Sequence, residues 1–133
     1  MEDILKIHKK LRLRANMSLL VMNAPTTYLP VLEGQQFDAV PVEEKIGDYD
    51  FIQVFATRLE QLDELLKVVK TAGKYDCILW FCYPKGSSKI ESDIKRDLFW
   101  PILAKINMRP VAQVAIDADW SAVRARPAEV VGK

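Results

Sequence analysis

Tyr49-Asp-Phe-Ile-Gln-Val-Phe-Ala56, then Thr57-Arg-Leu-Glu60, then Asp76-Cys-Ile-Leu-Trp-Phe-Cys-Tyr83: these segments decide the fold. The first is rich in aromatic and β-branched residues and predicts a strand. It runs straight into Thr57 and Glu60, whose spacing is that of a capping box, so a helix is expected to start there. Leu59, Leu62, Leu65, Leu66 and Val69 make its apolar stripe, Lys67 and Lys70 suit the negative end of its dipole, and Gly73 supplies the stop. The last segment is nearly all apolar, as a strand covered on both faces should be. Strand, helix and strand together read as one right-handed parallel crossover unit.

Upstream, residues 2–12 read as an amphipathic helix within an N-terminal stretch 1–14, with Lys6, Lys9, Lys10 and Arg12 exposed. Met17 to Met22 is a short apolar run and predicts a parallel strand, ended by Asn23-Ala-Pro-Thr-Thr27. Thr26 or Thr27 is expected to cap a short helix that carries Pro30 in its first turn and stops at Gly34. Phe37 to Val42 predicts a weaker strand, placed at an edge because Pro41 cannot donate to a ladder. Downstream, Phe99, Ile102, Leu103 and Ile106 mark a helix that starts at Asp97 as a cap, or at Asp93 with a kink at Pro101. Val111 to Asp117 and Trp120 to Arg126, separated by Ala118-Asp119, have the form of an antiparallel hairpin, and residues 127–133 look like a flexible tail. The whole, residues 1–133, reads as one α/β domain: a small Rossmann-like, mostly parallel sheet flanked by helices and ending in an antiparallel β-hairpin. That element order is similar to the second half of a Rossmann-like methyltransferase, a likeness that by itself carries no function.

Composition closes off several classes. Half of the 133 residues are hydrophobic, enough for a core without staples. Nineteen Lys and Arg against eighteen Asp and Glu leave a net charge of +1, which supplies no global field for nucleic acid or an anionic membrane. Cys77 and Cys82 fall on opposite faces of one strand, so they cannot pair, and with a single histidine neither a zinc site nor a disulfide framework is expected. No signal peptide or membrane-spanning run is read, and free thiols suit a reducing cytosol, so a cytoplasmic location is expected. His8 stands among lysines on the N-terminal helix, which sets aside Ser-His-Asp and Cys-His catalysis.

In open α/β sheets ligands bind at the carboxyl ends of the strands, which nominates Asn23 to Thr27, Ala56 to Arg58, Tyr83 to Lys89 and Asp117 to Ser121. Pro84-Lys-Gly-Ser-Ser-Lys89 is the most suggestive of these: Gly86 would turn backbone N–H groups inward, Ser87 and Ser88 add hydroxyls, and Lys85 and Lys89 add charge for a small anion. Asn23, Arg96 and Trp120 complete the expected ligand set. The loop lacks the spacing of a P-loop and any acid for Mg²⁺, and the competing reading is a solvated loop in which Ser88 or Ser92 caps a helix. No catalytic residue, metal ligand or cofactor signature is read. A dinucleotide or S-adenosylmethionine site would want glycine after the first strand, and Asn23-Ala-Pro-Thr26 has none. Asp117 and Asp119 read as turn residues. Trp120 to Arg126 alternates strictly, placing Arg124 and Arg126 on one face, where they would guard an edge strand.

Leu20-Val-Met-Asn-Ala-Pro25, Tyr49 to Phe55, Leu79-Trp-Phe-Cys-Tyr-Pro-Lys85, Ser92-Asp-Ile-Lys-Arg-Asp97 and Val114-Ala-Ile-Asp-Ala-Asp-Trp-Ser-Ala-Val-Arg124 together resemble a family of small bacterial proteins described only as a domain of unknown function. The resemblance spans residues 17–127 and implies a bacterial cytosolic α/β protein, with no activity, substrate or residue role attached. The expected function is then a non-catalytic binding or regulatory module that holds a small anion or a protein partner at the carboxyl edge. The alternatives are an S-adenosylmethionine-dependent transferase of methyltransferase-like ancestry, or a structural homodimer joined through the N-terminal helix or the terminal hairpin.

Overall fold

The computed structural model describes residues 2–131. Five strands form one sheet in the order β1–β2–β3–β5–β4. β1 (Leu19–Met22), β2 (Tyr49–Phe55) and β3 (Gly73–Pro84) are parallel to one another. β5 (Trp120–Pro127) is antiparallel to β3, and β4 (Met108–Ala115) is antiparallel to β5. β4 therefore points the same way as the first three strands, and the carboxyl ends of β1, β2, β3 and β4 share one edge. This is the expected Rossmann-like sheet with its antiparallel hairpin.

The side-chain period of two splits the strands between two cores. On one face Leu20, Ile52, Val54, Leu79, Phe81 and Val123 meet α2 (Leu59–Ala72) and α3 (Phe99–Ala104). On the other Val21, Phe51, Phe55, Trp80 and Ala122 meet the end of α1 (Glu2–Leu11) and a 3-10 segment, Thr26–Leu32. Leu62, Leu65, Leu66 and Val69 of α2 are buried, each stabilising the fold by about 1.5–3 kcal/mol, which is why this stripe could be read from spacing alone. Cys77 and Cys82 face opposite cores as free thiols, and burial pushes the Cys82 thiol up to about 12.

Several local expectations are corrected. The Thr57–Glu60 capping box does not form: Arg58 stands at the N-cap without a side-chain bond, and the Leu59 N–H donates to Asp93 Oδ1 at 2.7 Å from a distant loop. Gly73 ends α2 with an ordinary negative φ of −101°. It is needed for space, since a Cβ would run into Cys77 Sγ and come within 2.9 Å of Ile52 Cδ1. Neither Thr26 nor Thr27 caps the segment after β1, Asp97 does not cap α3, and Ser88 and Ser92 form local turns with the N–H groups of Ile90 and Ile94. β5 is an interior strand, so Arg124 and Arg126 guard no edge; Arg126 instead clamps Asp76 through two bonds of 2.9 and 2.6 Å. In place of the tail at 127–133, Pro127 closes β5 opposite Met108, and Ala128–Val130 turn in a 3-10 helix whose first N–H donates to Asn107 O. Gly132 and Lys133 lie outside the described residues.

The expected strand Phe37 to Val42 is reduced to a single parallel bridge between Asp38 and Leu20, on the side of β1 away from β2. Asp38 makes both bonds of that bridge, to Leu19 O and from Val21 N, each 2.9 Å. After β1 the chain thus moves outward to Asp38 and then crosses back to β2 on the other side, so strand order reverses at β1.

Candidate functional site

A reversal of strand order leaves a crevice between two carboxyl ends whose outgoing chains diverge to opposite sides, and this is where α/β sheets take their ligands. Here the crevice lies between the turn after β1, Asn23 to Thr26, and the turn after β2, Ala56 to Arg58. Asn23 is the first residue beyond β1 and adopts φ +62°, the left-handed conformation otherwise supplied by glycine. Its Nδ2 donates to Phe55 O at 3.4 Å, tying the ends of β1 and β2 together and leaving Oδ1 as an acceptor. The Ala56 N–H donates to Cys82 O at 3.0 Å, and the Lys85 N–H to Asp119 O at 2.8 Å, so all the strand ends at this edge are laced side to side. Ala56 is buried and small, while Thr26 and Arg58 are exposed at the rim.

The expected anion loop is built differently. The Ser88 hydroxyl donates to Asp119 Oδ1 at 2.9 Å, so the loop's central donor already serves a carboxylate. Gly86 is not among the left-handed glycines, which are Gly34 and Gly47, and nothing stands within 4 Å of a Cβ built on it. Gly86, Ser87 and Lys89 are exposed and Lys85 is half-buried. Trp120, expected beside this loop, is a core residue packed edge-on against Phe55 with ring centroids 5.2 Å apart. Arg96 lies in a separate cleft with Trp100 and Gln113. Lys85, Ser88 and Asp119 are brought together; Trp120 stands opposite Pro84 beside them but packs its ring into the core, and Asn23 and Arg96 do not join them. Asp117 is a turn residue as expected, its Oδ1 accepting the N–H groups of Asp119 and Trp120 at 2.8 Å.

Two features were missed at the level of sequence. Asp93 reaches from the loop after β3 to the start of α2, where it binds the Leu59 N–H and lies 3.7 Å from Arg58. Gln53 is fully buried in β2, accepting from the Tyr28 hydroxyl at 3.1 Å and donating to Cys82 Sγ at 3.4 Å. A lone glutamine inside an apolar strand was the available signal for the second; nothing local marks the first. His8 is engaged with Val31 O at 2.6 Å, away from the edge. Among the described residues no group of three or more His, Cys, Asp or Glu could hold a metal ion, and no helix is long and apolar enough to cross a membrane.

No protein-family model and no curated protein matches the chain. Solved structures do match its fold. An S-adenosylmethionine-dependent methyltransferase from Aquifex aeolicus superposes with a TM-score of 0.67 at 16% identity, covering 92% of this chain and 88% of its own. The cyclase SpnF follows with 0.64 at 9% identity, over 93% and 79% of the two chains. A Burkholderia thailandensis N1-methyltransferase, solved with S-adenosylhomocysteine, gives 0.52 at 10% identity, over 95% and 76%. At such identities the likeness speaks for the fold alone. The expectation of a non-catalytic module holding an anion or a partner on the Lys85–Lys89 loop is corrected on two grounds: the neighbours are chiefly methyltransferases, and Ser88 of that loop is committed to Asp119.

Proposed function

We propose that this protein is a small S-adenosylmethionine-dependent transferase of methyltransferase type, with the adenosyl ligand held at the carboxyl edge between the turns after β1 and β2. The observation that carries the reading is Asn23: strand order reverses at β1, and the residue that opens the crevice takes a left-handed φ of +62° without being glycine. The likeness of the whole sheet to methyltransferases supports it. The turn fits such a ligand. Asn23 Oδ1 offers an acceptor for ligand hydroxyls, Ala24 and Ala56 keep the walls small, and Arg58 at the rim offers a cation for a carboxylate. Asp38, beside β1, takes no part: it is engaged by the Tyr49 hydroxyl at 2.6 Å and by Lys45 at 3.0 Å. When bound, S-adenosylmethionine supplies an electrophilic methyl group on a cationic sulfur; the chain's own residues bind and orient.

Isothermal titration calorimetry with S-adenosylmethionine and S-adenosylhomocysteine tests the reading. Saturable one-site heat is expected from the native chain. Asn23→Gly, which keeps the left-handed turn and loses only the amide's contacts, should weaken binding less than Asn23→Val, whose branched Cβ disfavours positive φ and which should weaken it about tenfold or more. No heat from either ligand at millimolar concentration, with the protein folded by circular dichroism, would overturn it.

A further inference from the structure

We infer that the cleft between α3 and β4 is a second ligand site, one that takes a planar heteroaromatic molecule. Helix α3 has only six residues and leaves much of the hairpin uncovered on its face. The result is a cleft of about 550 Å³, within the usual range for small-molecule sites. Its floor is Phe99 and Val123, both buried, and Phe99 packs in turn on Tyr83 with ring centroids 5.1 Å apart. One wall is Trp100, an indole 57% exposed; the other is Val111, 39% exposed. The register of β4 slips between Pro110 and Ala112, so Val111 is the extra residue of a bulge. Bulges of this kind re-aim side chains beside binding sites.

The polar groups are few and placed at the ends, as in a site that orients a flat ligand. Gln113 donates Nε2 to the Tyr83 hydroxyl at 3.0 Å, which fixes its amide and leaves Oε1 and one N–H for another molecule. Arg96 and Asp97 sit together at the mouth, one of each sign. An exposed indole over an aromatic floor, with an oriented amide beside it, suits a ring whose faces stack and whose edge carries both a donor and an acceptor. An aliphatic ligand has no flat face to stack on Trp100, and a simple anion gains nothing from it either. Asp93, which holds the start of α2, is three residues from Arg96, at most about 10 Å along the chain. The cleft therefore opens next to the carboxyl edge, yet it shares no lining residue with the Asn23 turn. The inference stands whether or not the adenosyl ligand binds.

Trp80 and Trp120 are buried, so quenching at the red edge of the emission reports on Trp100. Titration with quinazolin-4-one, a flat bicycle with an amide edge, should quench this emission saturably, and cyclohexanecarboxamide should not. Quenching should persist in saturating S-adenosylhomocysteine, which separates this site from the one proposed above. By calorimetry, Trp100→Ala and Gln113→Leu should each weaken quinazolin-4-one binding about tenfold. Trp100→Ala removes a half-exposed side chain, and an unchanged melting temperature would show that the fold is kept. Absence of saturable quenching in the native chain, equal binding by Trp100→Ala, or loss of binding with S-adenosylhomocysteine would each overturn the inference.

Discussion

Gln53 lies in the middle of β2 with no solvent exposure, in a strand otherwise built of aromatic and aliphatic residues. Its cost of burial is offset because both ends of its amide are used, by the Tyr28 hydroxyl and by Cys82 Sγ. Tyr28 in turn packs on Phe55 at 4.9 Å, and Phe55 on Trp120, so the amide anchors the aromatic column beneath the turn after β1. Burial raises the tyrosine's pKa further, so it stays a neutral donor at any ordinary pH. Gln53→Leu leaves that hydroxyl buried without a partner and should cost about 1–3 kcal/mol. Tyr28→Phe alone should cost less, about 1 kcal/mol. The double variant should be more stable than the sum of the two, because each removes the partner whose loss makes the other expensive. Urea unfolding of the four proteins measures this; strict additivity would mean the bond contributes nothing.

Helix α2 shows how an element can be legible in its body and illegible at its end. Its stripe is local, and burial of Leu62, Leu65, Leu66 and Val69 follows from a period of 3.6. Its start is set by Asp93, 34 residues downstream, which no window along the chain contains. Asp93→Ala should therefore destabilise the protein by about 1 kcal/mol, the usual worth of a lost cap, and speed amide exchange in the first turn of α2. Arg58→Ala removes only an exposed contact of 3.7 Å and should change stability by less than about 0.5 kcal/mol. Equal effects from the two would show that charge pairing, not capping, holds the helix. The same division runs through the rest of the chain. The parallel unit from Tyr49 to Tyr83 and the hairpin were readable because their patterns are continuous. The bridge at Asp38 was overread as a strand, because Phe37 to Val42 is β-prone in composition while Pro41 and the following turn leave room for one bonded residue. The carboxyl edge was located correctly from topology. The chemistry on it was misassigned, because the partner that occupies Ser88 lies across the sheet in the β4–β5 turn.

Across the whole molecule the two edges of the sheet have different work. The carboxyl edge carries loops, an exposed rim and the candidate site. The opposite edge is latched by three carboxylates, Asp50 and Asp76 near the starts of β2 and β3 and Asp38 at the lone bridge beside β1. Asp38 accepts from the Tyr49 hydroxyl and Lys45, Asp50 from Lys74 at 2.7 Å and the Ser18 N–H at 2.8 Å, and Asp76 from Nε and Nη2 of Arg126. Each is held below the ordinary carboxylate value, by the Tyr49 hydroxyl, by Lys74 and by Arg126 respectively as the foremost cause. A carboxylate whose pKa is depressed on folding contributes stability that is fully present above its unfolded value, about 3.9, and is lost as pH falls through the folded one. Stability from these latches should therefore be constant from pH 8 to about pH 5 and decline below about pH 4. Net positive charge also grows in acid, so the native chain alone does not separate latch loss from general repulsion. Asp76→Asn does: its urea midpoint should lie below that of the native chain at pH 7, and the two should converge as pH falls through the lowered value of the folded carboxylate, where the native side chain is protonated as well. A gap that stays constant with pH would assign Asp76 a role in packing alone. Convergence, with amide protection lost first at Gly73 to Cys77 and last at the buried centre of β3, would place the onset of acid unfolding at the edge opposite the candidate site.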